Sequence, residues 1–225
     1  NIGAGASFLK KNWRILEYSG SKYKHTANLI DFNINLFDNL AFPISDNAVD
    51  LIYSQHTFEH LHDDNVMHIL NESYRILKPG GVRVVVPNID PAYDAYANND
   101  IDFFIKNTYN IPTHTTLLSK FSRYFSSVNM SDYPNIEKDF KELSKNIFLD
   151  KWTNDIDYRT LNRDFGQHMN WFNQEKLFRL FAQVGFKNIK LSKCKASEFD
   201  EMKTDEFDNS YKEISLYIEE IKEIQ

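Results

Sequence analysis

The sequence is poor in cysteine, with Cys194 as its single thiol among 225 residues. One thiol excludes an internal disulfide and a thiolate metal cluster, so we expect a reducing, cytoplasmic environment. No apolar run approaches the ~20 residues that a membrane span needs, and no secretory signal is visible. The net charge of −6 argues against a general surface for nucleic acid or anionic membranes. The chain begins at Asn1 instead of methionine, and we expect part of a first strand to lie upstream.

The chain is rich in aromatic side chains and is organised around residues 42–87. Val49–Tyr53 is a short β-rich run, and a helix is predicted to begin at Asp63-Asp64. We expect Pro79-Gly80-Gly81 to end that helix in a tight turn, because proline lacks an amide donor and glycine accepts a left-handed conformation. Val82–Val86 is nearly all valine, which is typical of a strand covered on both faces of a parallel sheet. The stretch therefore predicts a right-handed βαβ unit.

Two segments of this stretch resemble a known family. DNAVDLIYSQHTFEHL and ESYRILKPGG are similar to the central part of class I S-adenosylmethionine-dependent methyltransferases. They are most similar to a small bacterial group that pairs EHL after the fourth strand with R-[VI]-L-K-P-G-G. The resemblance covers Asn1–Asn88 and Asp164–Lys222. It implies S-adenosyl-L-methionine as cofactor and an α/β fold, a Rossmann-like, doubly wound, mostly parallel sheet with an antiparallel C-terminal strand.

Gly3 and Gly5 form a G-x-G near the start of the chain. Glycine permits a sharp turn after a strand and a close approach of a ligand to the backbone. The third glycine of the dinucleotide fingerprint is absent, since Phe8 stands there, and an ordinary turn is the alternative interpretation. The resemblance implies that this loop lies under the methionine part of the cofactor. It also implies that Asn1 replaces an acidic residue that the family usually has.

Glu17 ends the short predicted strand Trp13–Glu17. A carboxylate at the tip of a second strand can accept both ribose hydroxyls, as in dinucleotide folds, while a solvated surface acid is the alternative. The resemblance places Glu17 at this ribose position. For the adenine it implies Asn35 and the adjacent Leu36, with Asn35 in place of an aspartate, and Asp31 is a competing candidate.

Ser54, Gln55 and His56 follow the predicted fourth strand. Ligands of an open α/β sheet lie beyond the carboxyl ends of the strands, so we expect the cofactor's methyl group beside these residues. His56 is the candidate base, because imidazole titrates near neutral pH. Alternatively, it only shapes the pocket. The run from His56 to His60 is also H-x-x-E-H, the inverted zinc-protease motif, in which Glu59 would act as base.

No strand pattern is visible between Pro87 and Phe186, a span that is too long for a loop. Three helices are predicted there: Pro91–Asn107, Thr115–Ser127 and Pro134–Trp152. We interpret residues 89–163 as a helical insertion, a lid that shapes the acceptor pocket and excludes water. Residues 1–88 and 164–225 then form the cofactor-binding domain.

The last part of the chain predicts a helix and two strands. Asn173 is expected to cap the helix and Gly185 to end it. Phe186–Lys193 and Glu213–Lys222 alternate apolar and polar residues, and they predict an antiparallel hairpin. The family has a similar histidine before this helix, so His168 is the second candidate base. Alternatively, it satisfies local backbone groups.

These features predict a methyltransferase that acts on a small polar acceptor by O-methylation, on a sugar or another metabolite. The methyl group arrives already activated, so the protein has to align the acceptor, exclude water and remove a proton, and no metal is required. One alternative is a catalytically silent cofactor-binding protein, because Asn1 and Asn35 replace acids. A more distant one is a zinc hydrolase. We expect a small-molecule substrate and neither nucleic acid nor membrane as partner, and the sequence leaves the oligomeric state open.

Overall fold

The computed structural model describes residues 1–5, 10–20, 24–107, 116–126, 128–154, 156 and 167–222. Phe8 lies outside the described residues. The strands are β1 (Leu16–Glu17), β2 (Phe32–Asn33), β3 (Val49–Gln55), β4 (Leu77–Pro87), β5 (Ile189–Ser192) and β6 (Ser215–Lys222). The α-helices are α1 (Asp63–Ile76), α2 (Ile89–Ala97), α3 (Ile101–Asn107), α4 (Leu117–Ser122), α5 (Tyr133–Glu142), α6 (Lys145–Lys151) and α7 (Gln174–Val184).

The strands form a two-stranded sheet, β1-β2, and a four-stranded sheet in the order β3-β4-β6-β5, and Ile2 links β1 to β3. Ile2 bridges Leu16 in parallel, and its amide donates to the Tyr53 carbonyl at 2.9 Å. The pairs β1–β2 and β3–β4 are parallel, whereas β6 runs antiparallel to both β4 and β5. The prediction of a mostly parallel α/β sheet with an antiparallel C-terminal strand is confirmed.

The Pro79-Gly80-Gly81 segment lies inside β4, because α1 ends earlier, at Ile76. The pairing register between β3 and β4 shifts beside it, as in a β-bulge, and a bulge accepts a proline that cannot donate to the ladder. Gly80 permits a close approach of the two strands, since a Cβ there would lie 2.1 Å from the Asp50 carbonyl oxygen. The predicted tight turn was wrong, while Val82–Val86 is confirmed as a strand.

One face of the sheet carries the main core, which is covered by α1 and α7. Leu70 of α1 and Phe181 of α7 pack there against Val84. The predicted caps of α7 are confirmed: the Asn173 side chain accepts from the Lys176 amide at 2.9 Å, and Gly185 ends the helix at φ 110°.

The helices α2 to α6 pack around a second apolar cluster that includes Phe121, Phe125 and Phe148. The two longer helices predicted here were wrong as continuous segments. The first is divided between α2 and α3, where Asn99 adopts φ 54°, and the second is divided between α5 and α6. Within Thr115–Ser127, whose end residues are not described, only α4 is helical. None of the described helices combines the length and apolarity required to cross a bilayer.

The opposite face of the sheet encloses a charged network around Arg83, whose side chain is fully buried. Its guanidinium pairs with Asp208 at 2.5 Å and with Glu219 at 2.8 Å. Burial alone would lower the pKa of Arg83, but the hydrogen bonds and charge of Asp208, together with Glu219, raise it. The network joins the centre of β4 to the loop before β6.

Candidate cofactor pocket and active site

The carboxyl ends of β1, β2 and β3 meet at an open pocket of about 620 Å³, a volume that includes its solvent-facing mouth. Parallel strands end at the same edge of a sheet, which brings residues remote in sequence together. The lining residues are Gly3, Glu17, Tyr18, Gly20, Asn35, Leu36, Phe37, His56, Thr57, His60 and Leu61. Glu17 and His56, which the sequence analysis assigned to opposite ends of the cofactor, therefore line one pocket.

Five of the predicted site residues line this pocket: Gly3, Glu17, Asn35, Leu36 and His56. Sequence reasoning missed six others: Tyr18, Gly20, Phe37, Thr57, His60 and Leu61. Each of them lies within a few positions of a predicted residue. Their closeness in sequence to the predicted residues was therefore the signal that could have identified them.

The four other residues predicted to bind the cofactor do not line the pocket. Ser54 is buried inside the sheet, where its hydroxyl oxygen has no hydrogen-bond partner among the described residues. Gln55 faces the opposite side, and its Oε1 accepts from the Tyr53 hydroxyl at 2.7 Å. Asn1 has a buried side-chain oxygen that finds no partner in the described part of the chain. Gly5 acts indirectly, since its amide donates to the Glu17 carboxylate.

Gly3 adopts φ 68° in the loop that leads from Ile2 towards the pocket. A Cβ on Gly3 would lie 2.2 Å from Thr57 Oγ1 and 2.8 Å from Thr57 Cβ. Thr57 also donates its hydroxyl to the Gly3 carbonyl at 3.2 Å. Gly5 has a similar φ of 61°, but a Cβ there would meet no atom of the described residues within 4 Å.

Gly3→Ala is expected to destabilise the protein by about 1–2 kcal/mol more than Gly5→Ala. Both alanines have to adopt an unfavourable left-handed conformation. Only the alanine at position 3 also overlaps the Thr57 side chain, which has to move away from the Gly3 backbone. The free energy of unfolding, measured by chemical denaturation, gives the comparison, with Gly5→Ala as the matched control. Equal losses for the two variants would contradict the close packing of Gly3 on Thr57.

Glu17 presents its carboxylate at the tip of β1 with both oxygens already oriented. Oε2 accepts from the Gly5 amide at 2.8 Å, and Oε1 accepts from the Tyr18 amide at 2.8 Å. A carboxylate has about four acceptor sites, so each oxygen keeps one for a further donor. This arrangement suits a pair of adjacent hydroxyls such as those of a ribose.

Asn35 lines the pocket, and its competitor Asp31 does not. The Asn35 side chain accepts from the Phe37 amide at 3.2 Å and donates to Asp38 at 3.2 Å. Asp31 is engaged elsewhere, with Arg14 at 2.7 Å and with the Ile15 amide at 2.8 Å. Of the two candidates for the adenine, only Asn35 is placed to contact a ligand in this pocket.

His56 adopts φ 50° at the end of β3, a strained conformation that is rare outside glycine and common at functional sites. Its Nδ1 lies 3.0 Å from Glu59 Oε1, and its Nε2 lies 3.0 Å from Ser215 Oγ. Ser215 donates its hydroxyl hydrogen to the Tyr211 carbonyl at 2.8 Å, so it accepts from Nε2. Both ring nitrogens are therefore placed to donate in these contacts. Nε2 has to give up its hydrogen, as well as its contact with Ser215, before His56 can take a proton from an acceptor.

Glu59 is a buried carboxylate beside three histidines. Burial alone would raise the pKa of Glu59, but the hydrogen bond and charge of His56, followed by the charge of His60, lower it to about 2. The His168 ring lies 5.1 Å from that of His60, centroid to centroid. Burial, followed by the charge of His60, lowers the pKa of His168 to about 4, so its imidazole is neutral at neutral pH. His168 contacts the pocket wall through His60 and does not line the pocket itself.

The geometry of the inverted zinc-protease motif is not met. Glu59 and His60 belong to a short 3-10 turn, and His56 precedes that turn in the left-handed conformation. The two histidines are therefore not on one face of an α-helix, as the motif requires.

Two of the comparisons with known proteins point to a methyltransferase domain. Residues 12–85, a third of the chain, match the family model of a methyltransferase domain. No curated protein matches the chain.

Several solved structures with a similar fold are described as S-adenosylmethionine-dependent methyltransferases. The one from Methanosarcina mazei is 11% identical, with a TM-score of 0.47, over 100% of this chain and 91% of that chain. The one from Aquifex aeolicus is 10% identical, with a TM-score of 0.44, over 98% and 79%. The one from Archaeoglobus fulgidus is 13% identical, with a TM-score of 0.43, over 92% and 75%. With TM-scores below 0.5, these likenesses carry no argument of their own.

The family match extends from before Glu17 almost to the end of β4 and includes the crossing at His56. A glycine loop, an acid at the tip of β1 and an apolar wall at Leu36 and Phe37 fit a nucleoside. The protein is a methyltransferase. Its matched segment, residues 12–85, is similar to a methyltransferase domain, and S-adenosylmethionine is its cofactor.

Proposed function

We propose that this methyltransferase acts on an oxygen of a small polar acceptor, a sugar or another metabolite. The observation that carries the proposal is that Glu17 and His56 line one pocket. Glu17 is proposed to hold the ribose, Asn35 and Leu36 the adenine, and Gly3 the methionine part. The reacting carbon then faces His56. The net charge of −6 favours a small acceptor over nucleic acid or a membrane.

His56 is proposed to act as the base, with Glu59 as the positioning residue on Nδ1. The bound cofactor supplies a methyl group on a positively charged sulfur, and the C–S bond breaks as the C–O bond forms, with its electron pair left on sulfur. The acceptor's proton passes to His56 Nε2 once Nε2 has released its own hydrogen to solvent and Ser215 has moved away. His168 remains the second candidate base, behind His60.

Residues 89–163 are proposed to form a lid over the acceptor. The Tyr124 carbonyl, in this insertion, lies 3.1 Å from Nδ1 of His168, which packs on the pocket-lining His60. The insertion thus abuts the pocket wall, where a lid excludes water from the transfer.

A second candidate function is cofactor binding without turnover. It is favoured by the engagement of both nitrogens of His56, which leaves neither ready to take a proton. Calorimetry with S-adenosylhomocysteine, followed by turnover with a panel of sugars and phenolic and carboxylic acceptors, separates the candidates. Binding with turnover supports the methyltransfer proposal, and binding without turnover on any acceptor supports the second candidate.

Glu17→Gln is expected to weaken S-adenosylhomocysteine binding by about 30-fold, or about 2 kcal/mol, because hydrogen bonds to the ribose lose their charge assistance. Calorimetry measures the effect. Asp50→Asn, at the opposite end of the sheet, is the matched control and should leave the affinity unchanged. An unchanged affinity in Glu17→Gln would show that the ribose does not bind at Glu17.

A further inference from the structure

Glu59, His60 and His168 form a cluster of potential metal ligands whose donor atoms all lie within 4.8 Å of one another. The residues come from two distant parts of the chain. The amides of Met169 and Asn170 donate to the Glu59 carbonyl at 2.9 Å and 3.2 Å, and these bonds hold the two parts together. The grouping is therefore fixed by backbone contacts.

Both histidine rings are oriented by backbone carbonyls. Nδ1 of His60 lies 3.0 Å from the Gln167 carbonyl, and Nδ1 of His168 lies 3.1 Å from the Tyr124 carbonyl. A carbonyl only accepts, so each Nδ1 carries the hydrogen and each Nε2 carries the lone pair. Hydrogen bonding of this kind, from the distal ring nitrogen to a backbone carbonyl, is what holds metal-ligating histidines in place.

The carboxylate of Glu59 supplies an independent observation. Its side chain is 2% exposed, and Oε1 faces His56 Nδ1 at 3.0 Å. Its other oxygen, Oε2, is buried and has no hydrogen-bond partner among the residues that the structure describes. A buried carboxylate oxygen without a partner is costly, and a bound cation would satisfy it.

We propose that Glu59, His60 and His168 bind one divalent first-row transition-metal ion. Two imidazoles and one carboxylate favour zinc, iron or manganese over magnesium or calcium, which prefer oxygen ligands. Because His60 also lines the pocket, the ion would stand at the pocket wall. The sequence alone predicted a reaction without metal, since nothing in it placed His168 beside Glu59.

The role of the ion rests on the proposed function. Three protein ligands leave positions for an acceptor hydroxyl, and coordination lowers the pKa of such a hydroxyl. Its proton then passes to pocket water, or to His56, and the acceptor oxygen is held as the nucleophile.

The test is metal binding by the whole chain after chelator treatment and dialysis. Zn²⁺ is titrated by calorimetry, and Co²⁺ is followed by its visible absorption. We expect one equivalent of each metal to bind, and both His60→Ala and His168→Ala to weaken Zn²⁺ binding at least tenfold. His62→Ala, a histidine outside the cluster, is the matched control and should bind as the unmodified chain does.

Thermal unfolding and S-adenosylhomocysteine affinity show whether each variant is folded, and His60→Gln replaces His60→Ala if that variant is not. Absence of stoichiometric binding, or equal affinity in the folded ligand variants and in His62→Ala, would overturn the site. If the protein binds Zn²⁺ but transfers methyl groups at the full rate after the metal has been removed, the metal site stands and only its proposed role in catalysis is overturned. Failure of the proposed function is distinguishable, since it appears as no turnover with metal-loaded protein that binds S-adenosylhomocysteine.

Discussion

Asp208→Asn is expected to lower the free energy of unfolding by about 3–5 kcal/mol. Asp208 receives two hydrogen bonds from Arg83, at 3.1 Å and 2.5 Å, and both side chains are fully buried. Removing the charge of Asp208 leaves the buried Arg83 guanidinium with one carboxylate partner in this network, Glu219. Asparagine is chosen because Asp208 has φ 51°, a conformation that asparagine tolerates and alanine does not. Chemical denaturation followed by circular dichroism measures the loss.

Asp205→Asn is the matched control for this prediction. Asp205 lies in the same loop and pairs with Lys195, but its side chain is 92% exposed. Ion pairs in water contribute little, so this variant should unfold as the unmodified chain does. If the two variants lose the same free energy, the buried network is not what holds the loop to β4.

His56→Ala is expected to lower kcat about 100-fold, the lower end of the range for a general base. The affinity for S-adenosylhomocysteine should change less, since Glu17 and Asn35 are left in place. The measurement is initial rate against an acceptor that turns over in the panel, together with calorimetry. Because the alanine also removes a partner of buried Glu59, His56→Gln serves as a second variant that keeps a donor at that position.

His62→Ala, a nearby histidine that does not line the pocket, is the control for the rate. A His56→Gln enzyme that methylates at the rate of the unmodified chain would show that His56 only shapes the pocket. In that case the proton would have to leave by another route, such as His168 or water at the proposed metal site.

Local patterns in the sequence were sufficient for much of the fold. The valine run of β4 and the caps of α7 were predicted, because burial on both faces and helix termini each have a local signature. The Pro79-Gly80-Gly81 segment was misassigned because proline and glycine are typical both of a tight turn and of a β-bulge. Only the pairing with β3 distinguishes them.

For the candidate site, the sequence by itself determined the glycine loop, the acid at Glu17 and the crossing at His56, since each follows a strand and carries its own chemistry. The tertiary structure decided which of these share a pocket, and it placed Asn35, not Asp31, in the pocket wall. It also decided that His168 approaches Glu59 and that Asp208 neutralises Arg83. Such contacts join positions far apart in the chain, and their geometry follows from how the strands and loops pack.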